Sequence, residues 1–313
     1  GGRIARRGIV VVTVNYRVNT FGFLCHPEIT AEAPEAPANF GLLDQQYATR
    51  WVKRNISAFG GDPDNITIGG QSAGGVSVSA QLCCPENKGL FQKAIIMSGI
   101  VADNYSDFPR FNYSLEEAEE EGVKFFDFLG VRTLAEARAL DAIYIRDKTT
   151  EYNRMYGTIV DGKFQRGPVS LLLRRGERLD VPVMVGWTSN EFATGPSGND
   201  PESIMSELRK VFPASEAEEI IALVKPWQDA AAAKKALTYV TPRMGCLTFL
   251  RGDERLGGSK SPRYAYEFGP TIPGDDSGAF HSSDLWFFFE TLAKCWRPFD
   301  GHHYDLARKM CNY

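Results

Sequence analysis

No run of apolar residues in this chain is long enough to cross a bilayer, no block of lysines and arginines stands out, and histidine occurs only four times in 313 residues. The first absence leaves no membrane span to expect. The second, with a formal charge of −4, gives no reason to expect nucleic acid as a partner. The chain also lacks the Lys-Ser/Thr ending of a phosphate-cradling loop and the glycine spacing of a dinucleotide site. It has no leader pattern at its start, and no repeat or low-complexity linker divides it. The shortage of histidine narrows any imidazole chemistry to His26, His281, His302 and His303.

What is present reads as an enzyme-like globular chain, 43% hydrophobic and 24% charged, long enough to bury a sizeable core within one domain spanning 1–313. Its six cysteines, Cys25, Cys83, Cys84, Cys246, Cys295 and Cys311, are irregularly spaced. The adjacent pair Cys83–Cys84 is ill-shaped for a bridge. Reduced structural thiols are therefore expected, which leans toward a reducing, cytoplasmic compartment. Asn-x-Ser/Thr triplets at Asn55, Asn65, Asn104 and Asn112 keep secretion open.

The run Ile9–Val14 is continuously apolar or β-branched, as a strand covered on both faces would be. Further strands are expected at Asn65–Gly69, Ala94–Met97, Val181–Val185 and Tyr264–Phe268. A helix is expected over Leu42–Ile56 from the spacing of Leu43, Tyr47 and Trp51, and another after Ala73. Ser114 with Glu117, and Thr133 with Glu136, have the spacing of capping boxes. A helical stretch over Pro201–Arg251 is interrupted at Pro213, Pro226 and Pro242. Strands alternating with helices predict a mostly parallel sheet between helical layers, an α/β fold.

Between one of these strands and its helix stands Gly70-Gln71-Ser72-Ala73-Gly74-Gly75. A strand that turns abruptly into a helix forces its central residue into strained backbone, and the flanking Gly70, Gly74 and Gly75 remove Cβ clashes. Ser72 would then project at the sheet's carboxyl edge, with the Ala73 N–H aimed where an oxyanion develops. A serine hydroxyl needs a base. His281, in Gly-Ala-Phe-His after a strand and a Pro-Gly-Asp-Asp loop, has the position for it. His26 suits a surface or loop-packing role, and the adjacent His302 and His303 suit a solvated helix face; no further ligands are evident to make them a metal site. For the acid that orients the imidazole, Glu191 at the end of a strand competes with Asp161, Asp180, Asp275 and Asp284. Spacing does not decide among them.

These segments, taken together, resemble the type-B carboxylesterase family, which includes cholinesterases and bacterial para-nitrobenzyl esterases. The resemblance is carried by Val12-Thr13-Val14-Asn15-Tyr16-Arg17, Phe21-Gly22-Phe23-Leu24, Asn39 to Gln45, Phe59-Gly60-Gly61-Asp62-Pro63, the serine elbow and Met97-Ser98-Gly99. Later come Val160-Asp161-Gly162, Asn190-Glu191, the segment around His281, and Trp296-Arg297-Pro298-Phe299 with Tyr304 to Arg308. It spans essentially the whole chain and is densest over residues 8–100.

The resemblance implies an α/β-hydrolase fold, no cofactor and no metal. It also implies a small-molecule carboxylic ester as substrate and a Ser72–Glu191–His281 triad working through an acyl-enzyme. It further implies that Ser98 supports the acid and that Arg17 and Asp44 form a buried ion pair. Family members without catalysis, serving adhesion or scaffolding, typically lack the nucleophile or base, which this chain keeps. Three departures stand out. Gln71 replaces a common Glu, Phe192 follows the acid where Gly is common, and the upstream His-Gly-Gly oxyanion loop is not found. With no initial Met and an end inside a helix, the chain reads as an internal piece truncated at both ends. An impaired fragment is the alternative reading.

Overall fold

Parallel strands need their crossover helices on the faces and their apolar runs in the middle, and the computed structural model has both. It describes residues 1–100, 112–191, 196, 198–212, 214–238, 241–255 and 259–312. Short helices α1 (Gly2–Ala5), α2 (Asn19–Phe23) and α3 (Pro27–Glu32) precede the long α4 (Phe40–Asn55). Next come β1 (Thr67–Gln71), α5 (Ala73–Cys83), β2 (Lys93–Met97), β3 (Asn112–Ser114), α6 (Leu115–Leu129), α7 (Leu134–Ala139), α8 (Ala142–Tyr152), β4 (Thr158–Val160) and α9 (Val169–Arg174). The chain continues through β5 (Val183–Thr188), four helices α10 (Pro201–Val211), α11 (Ala214–Val224), α12 (Ala230–Thr238) and α13 (Thr241–Arg255), then β6 (Arg263–Phe268), α14 (Asp284–Phe288) and α15 (Gly301–Asn312).

The main sheet has the order β1-β2-β5-β6 and every pairing is parallel, with Gly70 beside Ile96, Ile96 beside Val185 and Val185 beside Ala265. All four carboxyl ends therefore lie along one edge. Ile96, Val183 and Val185 are fully buried, packed with Leu82 of α5, Leu173 of α9 and Phe249 of α13. Parallel β3 and β4 form a separate small sheet. Both expected capping boxes are formed, at Ser114–Glu117 opening α6 and at Thr133–Glu136 opening α7.

Glycines set two close approaches in this packing. A Cβ on Gly122 of α6 would run into the Cys25 carbonyl, and one on Gly186 of β5 would stand 2.0 Å from the Tyr266 ring of β6. Side chains are therefore excluded at both positions.

Two expectations are corrected. Ile9–Val14 belongs to no strand or helix, and Ile9, Val10, Val12 and Val14 are all exposed. A β-branched run acquires strand structure only from a neighbour that accepts its backbone hydrogen bonds, and among the described residues none lies alongside it. The Arg17–Asp44 pair is present, with Arg17 Nε and Nη2 donating to Asp44 at 2.8 and 2.7 Å and the Arg17 backbone N–H at 2.9 Å. It is not buried: the Arg17 side chain is 53% exposed, its guanidinium 5.4 Å from the centre of the half-buried Phe40 ring.

All six cysteines are free thiols, five of them buried. Burial pushes the Cys83 and Cys246 thiols up to about 12, so they are packing groups and not nucleophiles.

Candidate active site

β1 ends at Gln71 and α5 begins at Ala73, so Ser72 alone makes the turn. It does so at φ 55°, ψ −121°, a conformation that costs an L-residue about 1–3 kcal/mol. The elbow glycines divide in their roles. A Cβ on Gly70 would stand 2.3 Å from the Gly74 backbone, and one on Gly75 2.7 Å from Gly99. A Cβ on Gly74 would meet nothing within 4 Å; what that residue contributes is the bare backbone against which Gly70 packs. The Ser72 N–H donates to the Met97 carbonyl at 2.9 Å, tying the turn to β2. Ala73 is the first residue of the helix, where N–H groups have no intrahelical acceptor and the helix dipole is positive.

The next two strand ends bring in a carboxylate. Ser98, at φ 50° just past β2, donates its hydroxyl to Glu191 Oε1 at 2.6 Å. The Thr188 backbone N–H at the end of β5 donates to the same oxygen at 2.9 Å. That leaves Glu191 Oε2 for His281, whose Nδ1 lies 2.5 Å away. His281 comes from the loop after β6. The loop is pinned where the Asn190 N–H donates to the Ala279 carbonyl at 3.0 Å, and where the Asn190 side chain fills the space beside Gly278. On the far side of the ring, the Gln71 side-chain amide nitrogen is 3.1 Å from His281 Nε2. Glu191 and His281 are both largely buried.

Burial alone would push the Glu191 carboxyl up. Hydrogen bonds from His281, Ser98 and the Thr188 N–H outweigh it and hold the group below its ordinary value, ionised as the imidazole's partner requires. Asp284 shows the opposite balance. It is fully buried at the start of α14, accepts from the Tyr266 hydroxyl at 2.9 Å, and burial with the nearby Glu191 charge pushes it up.

The competing acids are engaged elsewhere. Asp161 accepts from Asn39 and from the Lys163 and Gln165 N–H groups. Asp180 is bound by Ser259 and Ser261, and Asp275 holds Arg297. Among the histidines, His26 caps α3 and stacks on Phe126. His303 departs from the solvated face expected of it. It is buried, and its Nε2 donates to the Thr271 carbonyl at 2.9 Å. Asp300, His302 and His303 do converge, with the Asp300 carboxylate as the common acceptor: from His303 Nδ1 at 2.7 Å, from His302 Nδ1 at 2.6 Å and from the His303 backbone N–H in the first turn of α15. Phe192 lies outside the described residues.

The sequence marks Gln71 only as a departure within the elbow and gives no part in the site to Tyr266, Thr188 or Gly186. Gly186 carried a signal, an isolated glycine within a buried strand, which marks close approach. The Thr188 contact is through the backbone and leaves no mark on side-chain identity.

A parallel sheet with helices on its faces, and a strained serine turn and a held carboxylate–imidazole pair along the carboxyl edge, defines an α/β hydrolase. Residues 1–243 match the carboxylesterase family, and the chain belongs to that family. It is 31% identical to the para-nitrobenzyl esterase of Bacillus subtilis over 93% of its length, spanning 60% of that relative. A solved PNB esterase superposes with a TM-score of 0.78 at 26% identity, covering 99% of this chain and 64% of the other. The carboxylesterase EST55 of Geobacillus stearothermophilus does so at 0.70 and 29%, covering 99% and 66%. The chain thus spans a little under two thirds of these relatives. No helix among the described residues is long and apolar enough to cross a membrane.

Proposed function

We propose that the protein carrying this chain hydrolyses small carboxylic esters through Ser72, His281 and Glu191. The observation that carries this reading is the pair His281 Nδ1–Glu191 Oε2 at 2.5 Å, with the other carboxylate oxygen held by Ser98 and Thr188. Glu191 accepts a hydrogen bond from Nδ1–H, which keeps the proton on that nitrogen and leaves Nε2 as the lone-pair atom that removes the Ser72 proton. The hydroxyl oxygen attacks the ester carbonyl, and the Ala73 N–H donates to the developing oxyanion. Imidazolium Nε2–H then protonates the departing alcohol, Glu191 stabilising the positive ring until it does. Water repeats the attack on the acyl-serine with the same base, releasing the acid and restoring Ser72. No step calls for a metal or organic cofactor.

Initial rates on a short-acyl aryl ester test this in the parent and in Ser72→Ala, His281→Asn and Glu191→Gln. The expected outcome is a fall of about a million-fold in kcat for either of the first two, with their double variant no worse, and a smaller fall for the third. Hydrolysis that survives Ser72→Ala would refute the assignment.

A further inference from the structure

Beyond the triad reading, on which it rests, the site holds a contact that the reaction scheme does not use. Gln71 is the last residue of β1, immediately before the nucleophile, and its side chain turns toward His281 and not outward. We propose that Gln71 is a positioning residue for the base: in the resting site its amide N–H donates to His281 Nε2 and holds the imidazole as the tautomer with its proton on Nδ1, and it yields that lone pair to the Ser72 hydroxyl when the ester is attacked.

The assignment of donor and acceptor follows from the other side of the ring. Nδ1 faces the Glu191 carboxylate at 2.5 Å, and a carboxylate only accepts, so Nδ1 carries a proton. In a neutral imidazole Nε2 then has a lone pair, and the end of Gln71 that can meet it is the NH2 group, which lies 3.1 Å away. If the amide oxygen faced Nε2, that nitrogen would need a proton as well, and the ring would be charged before any substrate arrived. Glutamine can also serve the charged state. Once Ser72 has passed its proton to Nε2, a half-turn of the amide presents the oxygen as acceptor. A carboxylate in its place could only accept, and would favour the imidazolium throughout.

The charged and titratable groups around the ring set the background for this effect. Glu191 approaches from the end of β5, the Asp284–Tyr266 pair from α14 and β6, and the Cys246 thiol of α13 lies within electrostatic range of Glu191. Two carboxyl groups thus already lie near one imidazole. A neutral residue at position 71 spares it a third.

The test reads the imidazole directly and needs no turnover. In the uniformly 15N-labelled chain, with His281 assigned by its loss in His281→Asn, the ring is titrated in the parent, in Gln71→Glu and in Gln71→Met. Gln71→Glu is expected to raise the titration midpoint by about one pH unit or more, since an opposite charge within a few ångströms favours the protonated form. Gln71→Met removes a donor to the neutral form and is expected to raise it by less. Coincident midpoints in the folded parent and Gln71→Glu would overturn the proposal. Should a substitution prevent folding, the parent alone suffices: a 15N–15N coupling between the Gln71 amide and His281 Nε2 supports the contact, and its absence in the neutral-ring spectrum contradicts it. The two readings fail separately. A raised midpoint in a chain that hydrolyses no ester leaves Gln71 in its role and removes the esterase reading; hydrolysis with unmoved midpoints does the reverse.

Discussion

Asp284 lies three residues beyond His281 and is fully buried, yet it acts on stability in the opposite direction to Glu191. Its folded-state value is raised, chiefly by burial, so the stability linked to its proton is present in acid and is lost as pH rises through that value. Glu191 is depressed, so its contribution is present above the ordinary carboxylate value of about 4.3 and is lost as pH falls through the folded one. Asp284→Asn should therefore stabilise the protein at neutral pH, with the gain shrinking toward pH 4. Glu191→Gln should destabilise it at neutral pH, with the loss shrinking in acid. Urea unfolding of the parent and both variants across this range checks the pair of signs, and parallel curves would contradict it. At this scale the sequence was informative where residue type carries the role. The serine elbow and the Gly-Ala-Phe-His segment point to the proposed nucleophile and base directly, whereas Glu191 is separated from its rivals by family resemblance and not by spacing. The Tyr266–Asp284 bond and the Gln71–His281 contact, 210 residues apart in the chain, depend on how strands stack, which no local pattern encodes.

Elements were most legible where hydrophobic period and cap chemistry agreed. α4 begins two residues before the Leu42 expected from its periodicity, and the capped starts of α6 and α7 fall where the Ser-x-x-Glu and Thr-x-x-Glu spacing places them. The failure at Ile9–Val14 has a different origin: strand character there is a property of a pair, and a run of valines states only one member's readiness. The Arg17–Asp44 pair joins the segment before α2 to α4. As a buried pair it would cost roughly 3–5 kcal/mol to break. At its observed exposure, Asp44→Ala should cost about 1 kcal/mol or less in chemical denaturation, and the effect should diminish with added salt. A loss of several kcal/mol, insensitive to salt, would mean that the pair is shielded from solvent after all.

For the molecule as a whole, the all-parallel order β1-β2-β5-β6 is what makes one site of distant residues. Each strand delivers its contribution at the same edge: Gln71 at the end of β1 and Ser72 just after it, Ser98 after β2, Glu191 after β5 and His281 from the loop beyond β6. The alternation of strands and helices foretold this layered arrangement. Strand order it could not supply, because crossovers to a near or a far neighbour read alike. The account stands on Ser72 as the nucleophile activated by His281, and covalent labelling tests that most directly. The purified chain is treated with a fluorophosphonate, and its peptides are mapped by mass spectrometry. The account predicts one adduct per chain, on Ser72, absent in Ser72→Ala and formed far more slowly in His281→Asn. An adduct on Ser77, Ser79 or Ser98, each buried in the fold, with Ser72 left unmodified, would contradict it.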